Sequence, residues 1–185
     1  MHQSDEQIQQ EALILEQAKN NPELFGYFYE KYYRQVFLFI NRRVGDSQIT
    51  ADLCSQVFLK AMIRLEKYTH KGLPFSAWLY RIATNQVNEF YRHTQRKRVV
   101  SIETEDIKRF FAEAGEDKKQ EQTQVIQLLF NELDEEEVAL LELRFFEDRP
   151  FKEIAFILEQ TENNVKVRTH RILEKLRKIA KNIAK

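Results

Sequence analysis

Residues 151–171 read FKEIAFILEQTENNVKVRTHR, and this stretch decides the fold of the C-terminal part of the chain. It offers a small residue, Ala155, where two helices can cross, and a tight turn at residues 159–161 that ends in a potential N-cap, Thr161. Val165 can then hold the second helix down. The residues that would close the core around this turn are Ile154, Leu158 and Ile172. The pattern predicts a helix-turn-helix.

Polar and basic side chains would project from the second helix of this motif, which we expect over residues 162–183. Amide side chains suit the edges of adenine, and arginine suits guanine or phosphate. The candidate duplex-binding residues are Thr161, Asn163, Asn164, Lys166, Arg168, His170 and Arg171. The helix is therefore predicted to read duplex DNA, and a basic helix face turned to solvent is the alternative.

Turn-forming residues are scarce, with four Gly and three Pro in 185 residues. Sandwiches and barrels need a turn signal about every 8–12 residues. The composition therefore favours long helices, and we predict an all-α fold. It would comprise two small helical domains joined by a polar, acidic linker, the second being a four-helix domain that contains the helix-turn-helix.

Charge divides the chain into three blocks, with a net charge of +4 over residues 1–98, −9 over 99–147 and +5 over 148–185. Residues 99–121 are polar and acidic, and they cannot bury enough apolar surface to offset the entropy of ordering them. We therefore place an N-terminal domain at 1–98, a linker at 99–121 and a C-terminal domain at 122–185. The two basic blocks are predicted to meet polyanions.

Helix signals are clear in the N-terminal domain. Ser4 with Gln7 resembles a capping box, and Asn21-Pro22-Glu23 supplies an N-cap, a first-turn proline and an acid for a second helix that ends near Gly45. Apolar residues recur along this second helix at three- and four-residue spacing: Phe25, Phe28, Tyr29, Tyr32, Tyr33, Val36, Phe37 and Ile40. They are predicted to form core.

A third helix is predicted over residues 50–67 and a fourth from Phe75 onward. Gly72 and Pro74 interrupt the helical pattern between them, so residues 68–74 form a loop. The inward positions of the third helix would be Leu53, Val57, Phe58, Ala61 and Leu65, and the outward ones Asp52, Gln56, Lys60 and Arg64. In the C-terminal domain, residues 123–133 and 134–146 are predicted to form two helices ahead of the helix-turn-helix.

A second basic and aromatic site lies on the fourth helix and the loop before it. Aromatic rings, amides and cations together suit unpaired DNA, because bases stack on the rings and phosphates pair with the charges. The candidate residues are Tyr68, Lys71, Trp78, Tyr80, Asn85 and Arg92, the last of which opens a basic tract to residue 98. For Trp78 the alternative is a place in the core.

Nothing in the composition favours catalysis, a cofactor or a metal. The four His are scattered, and the single Cys54 lies in an apolar helical stretch where a buried thiol is expected. The N-terminus opens with polar MHQSDEQIQQ, and no run of about 18 apolar residues occurs. We expect a cytoplasmic, non-enzymatic protein without membrane insertion.

Three strings together resemble a bacterial RNA polymerase sigma factor of the extracytoplasmic-function group. They are DLCSQVFLKA at residues 52–61, FSAWLYRIATN at 75–85, and KEIA at 152–155 with VKVR at 165–168. The resemblance spans about residues 20–98 and 122–180, and the order and separation of the strings are more specific than any one of them.

The resemblance implies a transcription initiation factor that binds core RNA polymerase and promoter DNA and helps to melt it. The third helix would dock on the clamp helices of the largest polymerase subunit through Asp52, Gln56, Leu59 and Lys60. The loop at 68–74, with Asn85, would capture a base flipped from the minus-ten element, and the last helix would read the minus-thirty-five element. An anti-sigma factor is a further partner that the resemblance implies.

A helix-turn-helix regulator whose N-terminal half senses a signal or binds a partner is the alternative function. One departure from the family pattern concerns the turn, where glycine often occupies the position of Glu159. A left-handed backbone at that position would be mildly strained for a residue with a side chain. Asn163-Asn164 also replaces the Gly-Thr pair usual before Val165.

Overall fold

A computed structural model describes residues 3–94 and 133–183, and every regular element within these ranges is helical. The chain divides into two compact units, Met1–Val99 and Val100–Lys185. The predicted all-α class is confirmed. No helix within the described residues is both long and apolar enough to cross a membrane.

Over residues 3–94, the N-terminal unit contains four α-helices and two short 3-10 turns. The helices are α1 (Asp5–Asn20), α2 (Gly26–Val44), α3 (Ser47–Arg64) and α4 (Phe75–Thr94), and the 3-10 turns are Pro22–Phe25 and Leu65–Lys67. The capping box predicted at Ser4 and Gln7 is present. Asp46 starts α3 three residues earlier than predicted, because its carboxylate accepts from the N–H groups of Gln48 at 2.9 Å and Ile49 at 3.0 Å.

Aromatic side chains are the largest members of the core of this unit. Phe28 packs against Phe75, and Phe39 against Tyr80, each with ring centroids 4.7 Å apart. All five side chains predicted to face inward from α3 are buried. The predicted apolar face of α2 is only partly buried: its buried members are Phe25, Phe28, Tyr32, Val36 and Ile40, whereas Tyr29 is exposed and Tyr33 and Phe37 are half-buried.

The C-terminal unit contains α5 (Glu135–Leu141), α6 (Phe151–Ile157) and α7 (Glu162–Ile183) among the described residues. Asp134 forms a capping box with Glu137 at the start of α5. The helix predicted to continue to Phe146 instead widens into a π-helical turn over Glu142–Phe146. The helix predicted at 123–133 and the linker lie outside the described residues, apart from Leu133, so the domain boundaries stay predictions.

Helices α6 and α7 form the predicted helix-turn-helix. The N–H of Gln160 donates to the carbonyl of Ala155 at 2.9 Å, and Glu159 between them has a left-handed φ of 57°. Thr161 caps α7, because its hydroxyl accepts from the N–H of Asn164 at 3.2 Å. Val165 is fully buried as expected, and Leu158 is only half-buried.

Candidate nucleic-acid and protein interfaces

One face of α7 is buried, and the opposite face presents its side chains outward. Val165, Thr169, Ile172 and Leu176 are buried and follow one another at three- and four-residue spacing. A helix with 3.6 residues per turn then directs the opposite face away from the unit. The candidates that are exposed are Thr161, Asn163, Asn164, Lys166, His170 and Arg171. An amide, an imidazole and a guanidinium can meet base edges and phosphates from this face.

Arg168 lies on the flank of this face rather than at its centre. Its guanidinium pairs with the Glu136 carboxylate of α5 at 2.8 Å, and the side chain is only 23% exposed. Lys175, two turns further along α7, pairs with Glu137 at 3.0 Å. Arg168 is therefore held against α5, and Arg171 forms no ion pair with the described residues and has the more open position.

Val167 also lies on the outward face of α7, where it is 40% exposed. An apolar side chain can contact the methyl group of thymine, so it is a further candidate for reading DNA. The sequence contained a signal for this residue, since it follows the buried Val165 by two positions. Two residues turn a helix by about 200°, which places their side chains on opposite sides.

Three of the six candidates for binding unpaired DNA form one line along α4. Trp78, Asn85 and Arg92 follow one another at seven-residue intervals, so their Cα atoms lie about 10 Å apart on one side of the helix. Asn85 and Arg92 are exposed, and Trp78 is half-buried. The indole of Trp78 packs against Tyr68 with centroids 4.6 Å apart, and the remainder of this half-buried side chain is accessible.

Tyr80 does not belong to this line. The prediction that it stacks on DNA bases is wrong, because the side chain is buried. The side chain has 0% exposure and packs against Phe39 in the core. It follows Trp78 by two positions, and the helix therefore turns it to the opposite side. Tyr68 is also buried: desolvation, together with the charge of Glu11, raises the pKa of its hydroxyl to about 12. The Tyr68 ring packs against the Trp78 ring and helps to hold it in place.

The loop at residues 68–74 holds a residue that sequence reasoning did not select. His70 is half-buried, and neither of its ring nitrogens has a hydrogen-bond partner in the described structure although both are buried. Buried polar atoms without partners are uncommon and cost stability. Lys71, the next residue, is exposed. The loop therefore contains a hydrogen-bonding group without a partner in the described structure, followed by an exposed cation.

Apolar side chains mark the outer face of α3. Asp52, Gln56 and Leu59 are exposed as predicted, with Leu59 52% exposed. Ile63, one turn further, is 69% exposed and continues the same line, with the exposed Met62 beside it. An exposed apolar strip of this kind on a helix is typical of a protein-binding surface.

Lys60 is directed toward α4 rather than along this strip. Its ammonium lies 3.4 Å from the Glu89 carboxylate. The charge of Lys60, together with a hydrogen bond from Gln86, lowers the pKa of Glu89. Lys60 therefore lies at the margin of this outer face, which we call the α3 surface and which comprises Asp52, Gln56, Leu59, Met62 and Ile63.

The single thiol of the chain is buried in the N-terminal unit. Burial raises the pKa of the Cys54 thiol to about 12, which keeps it protonated near neutral pH. Within the same residues, no three or more His, Cys, Asp or Glu side chains form a group that could hold a metal ion.

Comparison with known proteins assigns both units. Residues 28–97 match Sigma-70 region 2, and residues 129–178 match Sigma-70 region 4. The chain belongs to the sigma-70 family. The sigma factor is 27% identical to the ECF RNA polymerase sigma factor BldN of Streptomyces coelicolor and 24% identical to the ECF RNA polymerase sigma factor SigM of Bacillus subtilis. The predicted extracytoplasmic-function group is confirmed.

Coverage differs between these relatives. The BldN match spans 90% of this sigma factor and 64% of BldN, so the chain spans less than two thirds of that relative, whereas the SigM match spans 80% and 90%. The solved structure of CnrH in complex with the cytosolic domain of CnrY has a similar fold, with a TM-score of 0.61 and 19% identity. It covers 92% of this chain and 96% of CnrH.

Region 2 and region 4 divide the candidate residues in a simple way. The α3 surface, the loop at 68–74 and the line along α4 fall within the region 2 match, and the outward face of α7 falls within the region 4 match. Helix α1 precedes the region 2 match altogether.

Proposed function

We propose that this sigma factor binds core RNA polymerase, recognises promoter DNA and helps to melt it. The observation that carries the proposal is the presence, in one chain, of a region 2 match and a region 4 match, each with a distinct exposed surface. One surface combines apolar side chains with an aromatic and basic line, and the other is the outward face of a helix-turn-helix. Duplex recognition and strand opening need these two kinds of surface.

The polymerase would bind the α3 surface, that is, Asp52, Gln56, Leu59, Met62 and Ile63. Its apolar members are exposed, and their burial against a partner would be favourable. The acid and the amide at its start would fix the register of the partner helices. Lys60 would contribute at the margin, where its pairing with Glu89 competes with contacts to the polymerase.

Unpaired minus-ten DNA would bind at the loop and along α4. A base leaving the stack could lie on the accessible part of Trp78, with its edge near His70 and its phosphates near Lys71 and Arg92. Stacking of one base on an aromatic ring contributes about 1–3 kcal/mol, which offsets the few kcal/mol needed to unpair it. Asn85 would donate or accept from a neighbouring base edge.

The minus-thirty-five element would bind the outward face of α7. Asn163, Val167 and Arg171 follow one another at four-residue spacing, and together they offer an amide, an apolar group and a guanidinium to successive bases of the major groove. Thr161, Asn164, Lys166 and His170 would contact the flanking backbone. Arg168 would act mainly by holding α7 against α5.

We further propose that an anti-sigma factor binds this chain and competes with the polymerase for the α3 surface. Support comes from the exposed apolar side chains of that surface and from the similarly folded CnrH, which was solved with the cytosolic domain of CnrY. The chain itself would act by binding and orientation rather than by catalysis, and we place it in the cytoplasm with the polymerase.

Run-off transcription with core polymerase tests the proposal, with sequencing of the start sites on a promoter library. We expect RNA from a defined set of promoters only when both the chain and core polymerase are present. Specific binding to duplex DNA by the chain alone, without transcription in the reconstituted system, would instead identify a helix-turn-helix regulator.

A further inference from the structure

Helix α1 contains a buried carboxylate that the proposed surfaces do not use. Glu11 is 2% exposed, close to the buried Leu15 and Ala18 on the same side of the helix. Burying an ionised carboxylate is costly unless it is paired and hydrogen-bonded. An apolar residue at this position would anchor α1 without that cost.

One carboxylate oxygen, Oε1, is shared by three donors. The ammonium of Lys31 lies 2.8 Å away, the amide of Gln3 donates at 3.0 Å, and the Tyr32 hydroxyl donates as well. Burial disfavours the charged form of Lys31, but its hydrogen bonds to Glu11 and Tyr27 outweigh this effect and raise the pKa of Lys31. These contacts fix the carboxylate against α2.

The other oxygen, Oε2, reaches α4. It accepts from the backbone N–H of Phe75, the first residue of that helix, at 3.2 Å. The preceding residue is Pro74, whose side chain has no oxygen and cannot cap the helix. A helix N-terminus leaves N–H groups without partners and favours negative charge. Glu11 therefore caps α4 from a helix 64 residues earlier in the chain.

The capped residue is the point where the loop at 68–74 joins α4. The Phe75 ring lies in contact with both aromatic residues that border the loop, with centroids 5.6 Å from Tyr68 and 5.5 Å from Trp78. The position of the Phe75 backbone therefore determines where the loop ends and where the Trp78 ring points.

We propose that Glu11 is a positioning residue for promoter opening, a role that rests on the proposed function. By capping α4 at Phe75, it holds the loop and the Trp78 ring in the geometry that receives an unpaired base. Polymerase binding through α3 and duplex binding through α7 do not depend on this contact. Loss of the carboxylate therefore impairs one step and leaves the other two unchanged.

The contact can be observed directly in the full-length chain. Trp78 is the only tryptophan in the sequence, so tryptophan emission reports on its surroundings alone. Glu11→Gln removes the charge and leaves a single carbonyl acceptor for the former partners. We expect this variant to shift the emission and to accelerate hydrogen exchange of the Phe75 amide. Glu6→Gln, a matched change at an exposed position of α1, should alter neither property.

The functional test uses the holoenzyme reconstituted with core polymerase and a single-stranded minus-ten oligonucleotide. Loss of a charged hydrogen bond predicts that Glu11→Gln weakens oligonucleotide binding by about tenfold and slows permanganate-detected opening to a similar extent. Affinity for core polymerase should stay within about twofold of the wild type. Ile40→Val, which removes one buried methyl group from α2, controls for a loss of stability alone.

Oligonucleotide affinity equal to the wild type, or an equal loss with Ile40→Val, would overturn the proposal. If Glu11→Gln does not fold, Tyr32→Phe replaces it, because this change removes one donor to Oε1 and keeps the ring. Tyr32→Phe should cause a smaller loss of affinity in the same direction, and wild-type affinity with unchanged Trp78 emission would contradict the role. A wild-type holoenzyme that opens no promoter would overturn the proposed function itself.

Discussion

Arg168 and Arg171 lie three positions apart on α7. We expect their replacement by alanine to have different effects on DNA affinity. Arg171 is exposed on the outward face of α7, whereas Arg168 is 23% exposed and paired with Glu136 at 2.8 Å. A guanidinium that contacts a base in two places contributes about 1–3 kcal/mol to discrimination. Arg171→Ala is therefore expected to weaken promoter binding by about 5- to 150-fold.

Arg168→Ala should behave differently because it removes a contact within the protein. An ion pair near the surface contributes about 0.2–1 kcal/mol to folding, so we expect a small loss of stability and little change in DNA affinity. Both variants would be measured as holoenzymes on one promoter fragment at several salt concentrations. If Arg171 contacts a phosphate instead of a base, Arg171→Ala should reduce the salt dependence of DNA binding. The slope of log affinity against log salt concentration would then fall by about one unit relative to the wild type. A larger loss of DNA affinity with Arg168→Ala than with Arg171→Ala would refute the assignment.

Three further changes test other parts of the structure. Ile63→Asp should reduce affinity for core polymerase by about tenfold or more in a pull-down, since burying such a side chain contributes about 1.5–3 kcal/mol. The control is Leu13→Asp, because Leu13 of α1 is as exposed as Ile63. This control should leave the affinity for core polymerase unchanged. Asn85→Ala should spare duplex binding and impair strand opening, and permanganate reactivity equal to the wild type would contradict this. Glu159→Gly should stabilise the chain by about 1 kcal/mol in urea unfolding because it relieves the left-handed backbone, and a lower midpoint would argue against strain at this turn.

Apolar periodicity made much of the fold predictable. The inward positions of α3 follow from spacing alone, since every third or fourth residue from Leu53 to Leu65 is apolar and buried. The N-cap at Thr161 follows from local chemistry that is visible in a few neighbouring residues, whereas the left-handed backbone at Glu159 was expected from the glycine that the family often has at this position. The inward positions of α3 and the cap at Thr161 were predictable because their physical causes lie close together in the sequence.

Other features depend on contacts that local patterns do not contain. The burial of Glu11 requires partners on α2 and α4, and Asp46 competes with later residues for the start of α3. The π-helical turn places the N–H of Glu147 on the carbonyl of Glu142, and no residue in this segment signals that change. Tyr80 was selected for its residue type, although its angular position on α4 decided its burial.

The positive charge that α7 can offer to DNA is lower than its number of basic residues indicates. Two of its cations, Arg168 and Lys175, are already neutralised by neighbouring acids at the start of α5. Affinity for arbitrary DNA grows with the number of counterions that a protein displaces, so each internal pair reduces adsorption to sequences that offer no base contacts. Glu136 and Glu137 thus favour the cognate site over other genomic DNA without contacting nucleic acid themselves, because they reduce non-specific binding.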